Sequence, residues 1–288
     1  MDLFDLAADQ PIETAPFPSG PDGLLRYLRA RTPVVLTGVR EALPFTRDWN
    51  LDWLRDHLAT VRVQRAEPDG HFHYLSFRRM PMGDFVEALQ RGEGVYAQEK
   101  LLGQGVHRDL PEAAQAQLPE YVPAEGFRDS NLYIGAGGNT SLLHYDETHS
   151  LLAMLQGRKR VLLFPPDQSG RLYPYSTFNL RALLQGRVID SRIDCSWPDL
   201  ERFPRLAEAR GVTGWLEEDQ ALLIPAGTWH YIMAEGVNVA LNYFWFQNRL
   251  QDWLRPPLRQ FWAKRRILDA VDLARPVKHM IQRSLSGT

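Results

Sequence analysis

The sequence predicts a mainly β protein with helical decoration, a sandwich or jelly roll. First, seven short β-like runs follow one another between residues 131 and 247: NLYIGAG, the His144-Tyr145-Asp146 segment, LLAMLQG, KRVLLFPP, ALLIPAG, WHYIMA and VNVALNYFWF. Second, Gly and Pro turns punctuate these runs, a pattern that favours a sandwich or jelly roll over an alternating α/β sheet. Third, 288 residues with 44% hydrophobic content are enough for a sizeable core.

Residues 1–22 are rich in Pro, Asp and Gly without a sustained period, and predict an extended arm over the surface. A short helix follows over 24–31 (LLRYLRAR), leading through Pro33 into the apolar strand VVLTG. Trp49 to His57 reads as a second helix, capped by Asn50. TVRVQRA (60–66) and HFHYLSF (71–77) form a predicted hairpin across Pro68-Asp69-Gly70. A helix over 80–91 places Met80, Phe85, Val86 and Leu89 on one face, and VYAQE (95–99) is the next strand. Residues 105–130, with Pro111, Pro119 and Pro123, predict a helix-and-loop connection. The interval 166–216 reads as an ordered insertion near the barrel mouth. From Gln247 the composition turns helical, with Phe261, Trp262, Leu268 and Val271 near helical spacing over 259–273.

Charge and cysteine content narrow the functional classes. A formal charge of −2 gives no whole-chain field for nucleic acid or an anionic membrane. Lys264-Arg265-Arg266 reads as a solvated helix face. The single cysteine, Cys195, precludes an intramolecular disulfide framework and fits a reducing compartment. The start MDLFDLAADQ lacks the positive region of a signal peptide, and no apolar run approaches a membrane span. These features predict a cytoplasmic location and no membrane partner.

The stretch 141–165 carries the candidate chemistry. Alternation along a strand puts His144 and Asp146 on one face and Tyr145 on the other. His230, after the Pro-Ala-Gly break in LLIPAGTWHYIM, is the candidate third ligand. Two imidazoles and one carboxylate on one face of a metal leave three positions open, which suits non-haem Fe(II) oxygen chemistry. Lys159, Val161 and Leu163 share one strand face and Arg158 and Arg160 the other; an inward lysine needs an anion. His149 has the opposite parity from His144 and is left out of the ligand set. His71 and His73 share a face too, but nothing at ligand spacing follows, so they read as structural. Tyr96 and Gln98 share a face of the VYAQE strand and could reach a pocket, or pack locally.

Taken together, Gly138-Asn139, His144-Tyr145-Asp146-Glu147, Gly157, Lys159-Arg160, Leu163-Phe164-Pro165-Pro166-Asp167-Gln168, Leu172-Tyr173-Pro174-Tyr175, Glu201-Arg202-Phe203-Pro204, Trp229-His230 and Asn242 resemble one family. The chain resembles the Jumonji-C group of Fe(II)- and 2-oxoglutarate-dependent oxygenases within the cupin superfamily, nearest to their asparaginyl hydroxylases. The resemblance implies a double-stranded β-helix, with N-terminal α/β elements and C-terminal helices. It divides the chain into an arm (1–22), a catalytic domain (23–247, with its β-helix core at about 131–247) and a C-terminal segment (248–288). It places the metal ligands on His144, Asp146 and His230, and the partner of the distal 2-oxoglutarate carboxylate on Lys159. Tyr96, Ser141 and Asn242 fall at supporting co-substrate positions, with serine at 141 where the relative has threonine. Ser150 stands where asparagine is common, and its shorter reach bears on the co-substrate geometry.

The implied reaction hydroxylates a C–H bond with dioxygen while 2-oxoglutarate becomes succinate and carbon dioxide. A protein or peptide side chain is the first expected substrate, with a free amino acid or small metabolite second. A non-oxidising metal-binding cupin and an oxygenase acting on RNA are the other readings; the acidic balance counts against RNA. The stretch around Val188-Ile189-Asp190 lacks the family's arginine-glutamine substrate pair, and Phe244 replaces a tryptophan. The resemblance also implies a homodimer through C-terminal helices, the alternative being a helix packed on its own barrel.

Overall fold

The computed structural model describes residues 2–65, 77–103, 105–176, 187–248, 254, 257 and 258. His71, His73 and the segment containing Lys264, Trp262 and the expected C-terminal helix lie outside them. The strands, in chain order, are β1 (Ala8–Pro11), β2 (Glu13–Pro16), β3 (Val34–Thr37), β4 (Thr60–Arg65), β5 (Arg78–Pro81), β6 (Val95–Lys100), β7 (Phe127–Gly135), β8 (His144–Tyr145), β9 (His149–Phe164), β10 (Gly211–Leu216), β11 (Gln220–Ile224) and β12 (Trp229–Trp245). They join in the order β2-β3-β11-β9-β12-β7-β6-β4-β5, with β10 also on β9, β1 on β10 and β8 on β12. The result is the jelly roll of a double-stranded β-helix.

Two long strands make it a jelly roll. β9 and β12 span 16 and 17 residues and change partners midway. The first half of β9 pairs with β11, from Ser150 to Ala153, and its second half pairs with β10, from Lys159 to Leu163. β12 stays beside β9 throughout, meeting β8 at its start and β7 from Asn238 onward. The sequence reading broke each of these strands in two at a glycine. The structure instead carries the chain through on an irregularity: Gly157 has φ +76 and Gly236 φ +64, and the register shifts between Glu235 and Val239. A Cβ on Gly157 would collide with the Val237 carbonyl, so only glycine fits there. Gly157→Ala is therefore expected to cost about 1–3 kcal/mol, read as a lower urea midpoint at unchanged slope.

Strand parity sorts the core. Val161 and Leu163 point inward with Leu152, Met154, Leu222 and Ile224, filling the barrel. Leu162 and Phe164 point outward and pack with Leu3, Phe4, Trp229 and Tyr231. The first residues, expected as an extended arm over the surface, are extended from Ala8 to Pro16 but begin with a helix. Leu3–Ala7 is a helix whose Leu3 and Phe4 are buried, and β1 and β2 are parallel additions to β10 and β3. A five-residue helix is too short to show a period, and burial of its Leu and Phe, worth about 1.5–3 kcal/mol each, fixes it. Likewise β10 lies inside the interval read as an insertion, its mixed GVTGWL run held by its partners rather than by propensity.

The N-terminal elements follow the sequence more closely. Helices occupy Leu25–Ala30, Leu51–His57 and Met82–Gln90. Asn50 caps the second, its side-chain oxygen accepting from Trp53 N at 2.9 Å. β4 pairs antiparallel with β5, at Arg78–Pro81, and with β6. Of the partner strand expected over 71–77, only residue 77 lies among the described residues. The 105–130 connection is built of 3-10 turns before β7 begins at Phe127. Among the described residues no helix is long and apolar enough to cross a membrane.

Candidate metal and keto-acid site

Pairing of β8 with the start of β12 makes His144 and His230 direct cross-strand partners, their ring centroids 4.1 Å apart. Asp146 follows two residues beyond His144, and its carbonyl accepts from Gly227 N at 2.9 Å, which ties it to the turn before His230. The ligand atoms of His144, Asp146 and His230 all lie within 4.8 Å of one another. Tyr145 points the other way, buried edge-on against Trp229.

Backbone carbonyls set both histidine tautomers. His144 Nδ1 lies 2.7 Å from Leu142 O and His230 Nδ1 3.1 Å from Thr228 O. A carbonyl only accepts, so each Nδ1 carries a proton, which leaves Nε2 as the ring nitrogen that a metal would use. Burial and the neighbouring His144 hold the His230 pKa well below its ordinary value, so its ring is neutral. The 3.7 Å approach of His230 Nε2 to Asp146 Oδ2 is then not an ion pair. Burial also raises the Asp146 pKa, opposed by His144. Two imidazoles and a carboxylate that burial draws toward its neutral form converge with their ligand atoms within 4.8 Å of one another, and this donor set fits a divalent metal.

The triad opens into a cavity of about 640 Å³. Every residue expected to hold a co-substrate lines it: Tyr96, Ser141, Lys159 and Asn242, with Ser150 and Gln98 beside them. Lys159 is 6% exposed, on the inward face that strand parity predicts. Burial lowers its pKa to about 8. Ser141 Oγ accepts from Ile232 N at 2.9 Å, leaving its own O–H as a donor for the cavity. Ser150 Oγ donates to Asn242 Oδ1 at 2.8 Å, so the shorter serine acts by turning the Asn242 amide NH₂ away from itself. Tyr96 stacks on Tyr133, their rings 5.9 Å apart, and lies over Gly135, where a Cβ would come within 2.8 Å of the tyrosine ring.

His149 faces away from the triad. It is buried, its Nδ1 accepts from Ala226 N at 2.9 Å and its ring packs on Trp245. Phe244 lines the cavity and also a shallower hollow of about 340 Å³ on the far side of Asp146, with Arg128, Asp129, Glu147, Thr148 and Ile189.

The sequence reading missed Arg187 and Asn131, which line the cavity, and Asn238, which lies behind it. Arg187 reaches the cavity edge, its Nε 3.2 Å from Asp190 Oδ2 and its guanidinium over the Tyr175 ring; Asp190 in turn bridges His144. Nothing periodic marks it in the insertion. Asn131 is the cross-strand partner of Asn242 and lines the same wall. Asn238 lies behind Lys159 and is fully buried. Its signal was its parity with Asn242 in VNVALNYF, a second inward amide in an apolar strand.

Residues 24–251 match the cupin-like domain family. The chain is 31% identical over 247 residues to tRNA wybutosine-synthesizing protein 5 of Gallus gallus, covering 76% of this chain and 73% of that protein. It is 28% identical over 230 residues to lysine-specific demethylase 8 of Xenopus tropicalis, covering 76% of this chain and 49% of that one. Against lysine-specific demethylase JMJ30 of Arabidopsis thaliana it is 26% identical over 232 residues, covering 78% and 52%. The chain therefore spans about half the length of these demethylases. None of the three bears the name of an asparaginyl hydroxylase.

Proposed function

The chain belongs to the cupin-like domain family, in its Jumonji-C type, and from that premise we propose that it hydroxylates a C–H bond on a protein or peptide side chain. Fe(II) and 2-oxoglutarate are the cofactor and co-substrate of this type. The observation that carries the reading is the convergence of His144, Asp146 and His230 at one wall of a cavity that also buries Lys159. We take residues 23–247 as the catalytic unit.

In this reading His144 and His230 would hold the metal through Nε2 and Asp146 through its carboxylate. Fe(II) so held supplies the dioxygen chemistry that oxidises a C–H bond while 2-oxoglutarate is decarboxylated to succinate. The chain's own groups bind and orient. The Lys159 ammonium receives the distal carboxylate of the keto-acid, and the Ser141 O–H, Tyr96 and the Asn242 amide flank it. Leu152, Ile224 and Ile232 along the same cavity keep water from the reacting centre. The hollow beyond Asp146 and Phe244 is the approach for an extended substrate.

Anaerobic titration of the metal-free protein with Fe(II) and 2-oxoglutarate tests the core of this reading. A visible charge-transfer band of a chelated keto-acid supports it, and no band at saturation sinks it. Peptides are then screened by mass, since hydroxylation leaves one added oxygen and demethylation removes a methyl group. The relatives named as lysine demethylases support a protein substrate. The relative named as a tRNA wybutosine-synthesizing protein favours a second reading, an RNA substrate, tested by the same turnover assay on tRNA.

A further inference from the structure

We propose that Asn238 is a positioning residue that aims the Lys159 ammonium at the distal carboxylate of the keto-acid. This rests on the oxygenase reading and adds to it a residue that neither the resemblance nor the metal motif supplies. Among the described residues, the hydrogen-bond partner of Lys159 Nζ is Asn238 Oδ1, at 2.8 Å. The Asn238 side chain cannot turn over. Its Nδ2 lies 3.2 Å from both Gly135 O and Gly236 O, and because carbonyls only accept, the NH₂ must face them and Oδ1 must face the lysine.

The backbone explains why an amide stands there. Asn238 pairs with Gly135 across β12 and β7 and sits in the irregularity opposite Gly157. That irregularity turns the Asn238 side chain inward, at 0% exposure, where its Oδ1 meets the ammonium at the end of the buried lysine's four-carbon stem. A neutral acceptor fixes the ammonium by one of its three N–H bonds and leaves the charge and the other two for an incoming anion. An aspartate in its place would neutralise the ammonium from behind and compete with the ligand.

Calorimetric titration of 2-oxoglutarate into the Mn(II)-loaded protein reads this without turnover. Asn238→Ala is expected to weaken keto-acid binding about 10-fold, the lower end of what partners orienting a binding group cost, with Mn(II) affinity unchanged. Asn238→Asp is expected to weaken it further. In a Lys159→Ala background, Asn238→Ala is expected to add nothing, because its effect passes through the lysine. Should the alanine variant fold poorly, Asn238→Ser keeps an acceptor for Nζ and is expected to fall between wild type and Asn238→Asp. Wild-type affinity in Asn238→Ala, or an equal loss with and without Lys159, overturns the proposal while leaving the oxygenase reading intact. A wild-type protein that binds Mn(II) but no 2-oxoglutarate overturns both.

Discussion

Asp146→Ala is expected to abolish the keto-acid charge-transfer band and any 2-oxoglutarate-dependent turnover, a loss well beyond the roughly 10–100-fold that outer partners of a metal cost. The reason is electrostatic as much as geometric. His144 and His230 can offer only imidazole nitrogens, so Asp146 is the one carboxylate donor of the set. Without it, a divalent cation would meet two imidazoles and no carboxylate within the ligand set. The variant should fold, because the Asp146 side chain accepts no hydrogen bond from the scaffold among the described residues, and the turn contact to Gly227 N uses its backbone carbonyl. Removing a carboxylate that burial pushes toward its neutral form also relieves the metal-free protein. Unchanged or raised thermal stability without metal, together with a lost metal-induced stabilisation, is the expected pair of results. A band that survives Asp146→Ala would refute its assignment as a ligand.

The parts of the molecule legible in its sequence are those set by local rules. Period-2 alternation put His144 opposite in face to Tyr145 and Lys159 on the inward face with Val161 and Leu163, because successive side chains of a strand point to opposite faces, while Asp146 lies one residue past β8. The Asn50 cap and the helices over Leu25–Ala30, Leu51–His57 and Met82–Gln90 follow from capping and hydrophobic spacing, although Met80, expected on the last of them, lies in β5. What was not legible depends on distant partners. Gly157 and Gly236 read as strand ends, yet β9 and β12 run through them, since each is supported by neighbours on both sides. Leu3 and Phe4 sit in a polar segment whose helix exists because the outer face of Leu162, Phe164 and Tyr231 needs cover. Arg187 reaches the cavity by way of Tyr175 and Asp190, contacts no spacing rule encodes.

The second large effect is expected at Lys159, where alanine should raise the dissociation constant of 2-oxoglutarate about 30- to 1,000-fold. This is the equivalent of the roughly 2–4 kcal/mol at stake when one partner of a buried charge pair is removed. Metal affinity should be retained, which separates this variant from Asp146→Ala. The pH dependence carries the sharper test. With no anion beside it, burial lowers the Lys159 pKa from 10.5 to about 8. Between those values the unfolded chain binds the proton more tightly than the folded one, so this lysine's contribution makes stability rise with pH across the window. A bound carboxylate reverses the preference, because it favours the ammonium and raises the folded pKa again. Binding then takes up a proton above about pH 8, and affinity for 2-oxoglutarate should fall as pH rises through that value. The thermal stabilisation given by 2-oxoglutarate should shrink in parallel. In Lys159→Ala both slopes should flatten, leaving weak binding that no longer responds to pH. A wild-type affinity that is flat from pH 7 to 10 would mean that the distal carboxylate meets some other group, and that the buried ammonium serves the fold alone.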